Sequence, residues 1–166
     1  MRIILLGNAG AGKSTLARQL VARQPAARLS LDAVAFEPGS PQRRPLAQSV
    51  AAVRQFIAEH DHWIIEGCYA DILEPVLVHA DDLIFLNPGV DICVAHCRDR
   101  PWEPEKFSSA REQEEHLENL IVWVRAYPTR SDEYGLSRHR ALYGTFPGRK
   151  CELTQPEHFS EVLQPR

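Results

Sequence analysis

The chain has 166 residues, 44% hydrophobic and 25% charged, with 19 basic and 22 acidic side chains and a net charge of -3. That length suits one domain with a sizeable core and is short for two. The acidic balance argues against a general nucleic-acid binder, which carries a basic surplus, and no stretch approaches the roughly 20 apolar residues of a membrane span.

In chain order, Ile3 to Leu6 is a continuous apolar run, the pattern of a strand buried on both faces. Helical spacing follows over 14–23, with Leu16, Leu20 and Val21 on one side. ARLSLD reads as a second strand, ending at Asp32, and FEPGSPQRRP as a Pro- and Gly-rich loop. LAQSVAAVRQFIAEH is a strong amphipathic helix. HWIIEG reads as a third strand, DILEPVLVH as helix, DDLIFLN as a fourth strand and VDICVAHCRDR as the helix after it. A polar stretch over 101–110 precedes helices over 111–126 and about 132–142, then a fifth strand, RKCELT, and a closing helix, PEHFSEVL. Strands alternating with helices predict a parallel sheet covered on both faces, in a single domain over 1–166.

Gly7-Asn-Ala-Gly-Ala-Gly-Lys-Ser14 satisfies G-x-x-x-x-G-K-S, between an apolar strand and an amphipathic helix. Glycines let successive backbone N–H groups turn inward toward phosphate oxygens, and the helix start adds its positive dipole end. Gly7, Asn8, Ala9, Gly10, Ala11, Gly12, Lys13, Ser14 and Thr15 are therefore the expected nucleotide-binding residues. In such a loop Lys13 would reach the outer phosphates and the Ser14 hydroxyl would ligate magnesium. A dinucleotide loop is the nearer rival, since G-x-x-G-x-G occurs in the same run. It does not need Lys-Ser, and Asp32 is the nearest candidate for its acidic partner.

The four cysteines, Cys68, Cys93, Cys97 and Cys151, form no CxxC pair. They read as reduced thiols in a cytoplasmic protein; Cys93 and Cys97, four apart with His96 between them, share a helix face that suits core packing, with a metal as the alternative. The start MRIILL is too short an apolar run for a signal peptide. No Asn-Lys-x-Asp guanine-reading sequence is present.

The segments LLGNAGAGKSTLARQL, LSLDAVAFEPG, RRP, WIIEGCY and DDLIFLN resemble small P-loop kinases of the adenylate and shikimate kinase type, and most closely the bacterial topology-modulation group. The resemblance implies a three-layer α/β/α fold with a five-stranded parallel sheet, ATP with magnesium, and a helical lid and insertion over about 98–145. It also implies that the segment around Thr154 to Pro156 lies near the base of the donor. Asp32 and Glu66, each read at a strand's carboxyl end, become candidates for base work and, for Glu66, for magnesium through water. A helix cap for Asp32 and a plain strand-end acid for Glu66 are the alternatives.

Phe36, Arg44, Gly67 and Tyr69, with Asp32, would bracket the second substrate. Phe36 equally fills a core edge, and Arg43 and Arg44 equally stay solvated. Arg98 and Arg100 are the expected lid cations, with Arg111, Arg125, Arg130, Arg138 and Arg140 as further candidates. His116 and His139 read as surface residues.

Adenylate kinases carry acid-Gly-Phe-Pro-Arg after the third strand. Here Glu66-Gly-Cys-Tyr-Ala lacks that arginine, which places AMP in doubt as acceptor. The sequence thus points to a kinase acting on a compact acceptor, as monomer or dimer, without direct nucleic-acid binding. A regulatory ATP-binding module is the alternative.

Overall fold

The computed structural model describes residues 1–162. Five strands form one parallel sheet: β1 (Arg2–Gly7), β2 (Ala27–Ser30), β3 (Trp63–Gly67), β4 (Asp82–Leu86) and β5 (Arg149–Leu153), in the order β2-β3-β1-β4-β5. β1 is central because Ile3 to Leu6 is apolar on both faces: Ile4 and Leu6 point into one core, Ile3 and Leu5 into the other. Chain order reverses beside β1, so the edge beyond its Gly7 is the switch point where α/β sheets bind ligands.

The helices divide between the two faces. On the side of Ile4 and Leu6 lie α2 (Asp32–Ala35), α3 (Leu46–Glu59), α4 (Ala70–Leu73) and α7 (Leu136–Thr145). On the side of Ile3 and Leu5 lie α1 (Lys13–Arg23), α5 (Val90–Arg98), α6 (Ala110–Arg125) and α8 (Phe159–Val162). Leu163, the last residue of the predicted closing helix, lies outside the described residues.

Three local expectations change. Asp32 does not end a strand. β2 stops at Ser30, and Asp32 is the first residue of α2, where a carboxylate favours the helix start. The helix expected over 71–79 is α4 followed by a 3-10 helix, Glu74–His79, because Pro75 near its start cannot donate an interior bond. His139 is fully buried rather than on the surface, its ring held between two polar partners. Cys93 and Cys97 are buried, and none of the four cysteines is in a disulfide.

Candidate active site

The phosphate loop runs from the end of β1 into α1. Gly10 and Gly12 are left-handed, at φ 77° and 98°. A Cβ on Gly10 would stand 2.2 Å from the Cys93 carbonyl, and one on Gly12 would stand 2.8 Å from the Phe159 ring, so no side chain fits at either position. No side chain caps α1 and no acid lies in its first turn, which leaves its N-terminus to an anion.

The loop is also anchored from outside itself. Asn8 is buried, its amide donating to the Val124 carbonyl at 3.1 Å and its Oδ1 accepting from Ala9 N–H at 2.9 Å. His96 Nδ1 donates to the Gly10 carbonyl at 2.6 Å. α5 and α6 therefore brace the loop. The Lys13 ammonium folds over it, donating to the carbonyls of Gly7 at 3.0 Å and Asn8 at 2.7 Å.

Glu66 on β3 is 2% exposed, and the Ser14 hydroxyl donates to its Oε2 at 2.8 Å. Its other oxygen, Oε1, is buried without a hydrogen-bond partner. Arg28 Nε on β2 stands 3.8 Å from that oxygen. A buried carboxylate with an open oxygen beside the P-loop serine is the donor set a hard divalent cation takes, so these residues fit magnesium. Thr15 is exposed and its hydroxyl accepts from Arg18 at 3.3 Å.

Across the cleft, Asp32 Oδ1 accepts from the Tyr69 hydroxyl at 2.6 Å. Burial and the Asp32 charge push the Tyr69 pKa well upward, so the phenol stays a donor. Lys106, on the segment between α5 and α6, brings its ammonium to 3.9 Å from Asp32 Oδ2 and 3.0 Å from Glu103.

An aromatic wall continues from Tyr69: Phe36 meets it edge-on at 6.1 Å and Tyr134 at 5.5 Å. Arg43 lies over both tyrosine rings, donates to the Tyr134 hydroxyl and pairs with Asp71 at 3.1 Å. Arg130 covers Trp123 at 4.3 Å and pairs with Asp132 at 2.8 Å.

Cys68 directly follows Gly67, the last residue of β3. Burial raises the Cys68 pKa to about 11, with the Lys13 charge pulling it down and the Asp32 charge pushing it up. His139 Nε2 donates to the Cys68 carbonyl at 2.8 Å, so its Nδ1 accepts from the Tyr127 hydroxyl at 2.8 Å. Burial lowers the His139 pKa to about 4, which keeps the ring neutral.

The structure thus brings together the loop, Lys13, Ser14 and Glu66 on one side, and Asp32, Tyr69 and Phe36 on the other. Arg44 contributes a backbone bond, its N–H to the Ala35 carbonyl at 2.9 Å, while its neighbour Arg43 takes the ring contacts. Gly67 makes room for Leu31, whose Cβ would be 2.8 Å from an added side chain. Arg98 is half exposed and pairs with Glu118 at 3.1 Å on the outside of α5 and α6. The charge of Arg100 is felt by the Cys97 and Cys93 thiols behind the loop. Arg111, Arg125, Arg138 and Arg140 pair with Glu115, Asp91, Glu74 and Glu152.

Arg28, Lys106 and His96 are functional candidates that the sequence reading misses. Alternation along β2 could place Arg28 on the α1 face, but only the register with β3 brings it to Glu66.

Solved structures share the fold, among them two kinases. Shikimate kinase from Acinetobacter baumannii in complex with shikimate superposes with a TM-score of 0.57 at 15% identity, covering 99% of this chain and 92% of that one. A gluconokinase from Sinorhizobium meliloti 1021 gives 0.55 at 14%, covering 98% and 86%. No curated protein matches the chain. The architecture is the α/β P-loop kinase fold with a five-stranded parallel sheet. Residues 3–116, more than half the sequence, match the AAA domain family, and with its phosphate loop, braced lysine and serine–glutamate pair the chain belongs to that family.

Proposed function

We propose that the protein is an ATP-dependent small-molecule kinase. The observation that carries this reading is the Ser14–Glu66 pair, whose second buried oxygen has no hydrogen-bond partner and lies beside the glycine loop. Magnesium, held by the Ser14 hydroxyl and, through water, by Glu66, would neutralise charge on the donor's outer phosphates. Lys13 leaves its two carbonyls for the phosphate oxygens. Asp32 accepts the proton of the acceptor hydroxyl, held in place by the Tyr69 hydroxyl. The acceptor oxygen forms its bond to the γ-phosphorus while the bond from that phosphorus to the β,γ-bridging oxygen breaks, and ADP leaves with the electron pair.

Phe36, Tyr69, Tyr134 and Arg43 support an acceptor site beside Asp32, and the segment over about 98–145, which brings Lys106 beside Asp32, supports a lid in the same single domain. The likeness to the topology-modulation group fits this reading. Four cysteines outside any disulfide support a reducing, cytoplasmic setting, and no helix of the described residues is long and apolar enough to cross a membrane.

Calorimetry with Mg·ATP, then ADP release across a panel of nucleosides, nucleotides and polar metabolites, tests the proposal. Binding and acceptor-dependent ADP formation are expected, with Lys13→Ala reducing turnover by roughly a hundredfold or more. ADP release that no acceptor stimulates would defeat the kinase reading.

A further inference from the structure

Glu66 and Arg28 share one face of the sheet. Ser30 of β2 pairs with Glu66 of β3, and Arg28, two residues earlier, points to the same side by strand alternation. That is the α1 side, where Ile64 packs with Leu16 and Ala17 and where Ser14 opens the helix. The guanidinium therefore approaches Glu66 from behind, toward the strand starts, while Ser14 holds it from the P-loop edge. Its Nε is 3.8 Å from Oε1, close enough for charge attraction and too far for a hydrogen bond. Arg28 is 36% exposed on an edge strand, so it is free to withdraw, whereas Glu66 is 3% exposed and fixed.

We propose that Arg28 is a positioning residue for the metal site: it is the counter-cation of Glu66 when magnesium is absent, and it sets how tightly magnesium is held by competing for the same carboxylate. This rests on the reading of Ser14 and Glu66 as the metal corner. The sign follows from charge. A positive group close to a site for a doubly charged cation weakens that cation's binding, and its removal strengthens it. A merely structural arginine would, when removed, loosen Glu66 and weaken the metal.

The test is ATP binding to the full chain followed by calorimetry while magnesium is varied, with EDTA as the metal-free arm. Arg28→Gln and Arg28→Ala should lower the magnesium concentration at half effect by roughly tenfold, and leave ATP affinity in EDTA unchanged. Arg28→Lys should stay near the parent. A half-effect concentration that is unchanged or raised in Arg28→Gln, with melting temperature retained, overturns the inference. If ATP binds and magnesium has no influence on it, the inference falls while the phosphate loop stands. If no ATP binds at all, the proposed function falls with it.

Discussion

The two sides of the cleft are made in different ways. The glycine-loop side is eight consecutive residues defined by their backbone, with α5 and α6 pressed behind it through His96 and Asn8. The side around Asp32 is assembled from side chains far apart in sequence: Asp32 with Tyr69, Arg43 with Asp71 and Tyr134, His139 with Tyr127 and the Cys68 carbonyl. The first tolerates almost no added atom. The second depends on hydrogen bonds and charges that can be removed singly.

The sharpest way to break that contrast is Gly10→Ala. A left-handed φ and a carbonyl 2.2 Å away leave the methyl nowhere to go. A loss of roughly 3 kcal/mol in urea unfolding is expected, together with loss of ATP binding. A variant that folds and binds like the parent would mean the loop is softer than its geometry.

The next test acts on the other side and uses pH. His139 has a pKa near 4 when folded against an ordinary 6.5. The unfolded chain therefore binds the proton first, and stability falls as pH drops from about 6.5 to 4, levelling below that. The full effect is roughly 3 kcal/mol. In His139→Gln the fall over that window should be shallower by about this amount; parallel curves would show that the buried ring does not titrate as its surroundings require.

The smallest effect belongs to Arg98. Its exposed pair with Glu118 should be worth under about 0.5 kcal/mol. Arg98→Ala should leave stability intact, and ATP binding then sharpens the comparison: a large loss would bring Arg98 into the cleft despite its partner.

The elements were largely legible because their signals are local. Ile3 to Leu6 is apolar on consecutive residues, Gly7 to Ser14 is contiguous, and the amphipathic spacing of LAQSVAAVRQFIAE gave α3 within a residue. Asp32 was misplaced by a short step because β2 and α2 are only four residues each, too short for either period to declare itself. Arg43 and Arg44 are indistinguishable in the sequence, because adjacent arginines look alike until Tyr69, Tyr134 and Asp71 converge on Arg43.

By itself the sequence determined the parallel sheet, the phosphate loop and the two acids near the strand ends, since burial on both faces and backbone freedom at glycine are written in neighbouring residues. Only the tertiary structure decided the partners: that Ser14 meets Glu66, that Arg28 stands behind it, that Lys106 reaches Asp32, and that His139 is sealed beneath Cys68. Those contacts span tens of positions along the chain. Strand register and the packing of α6 and α7 fix them, and neither leaves a periodic trace in the residues themselves.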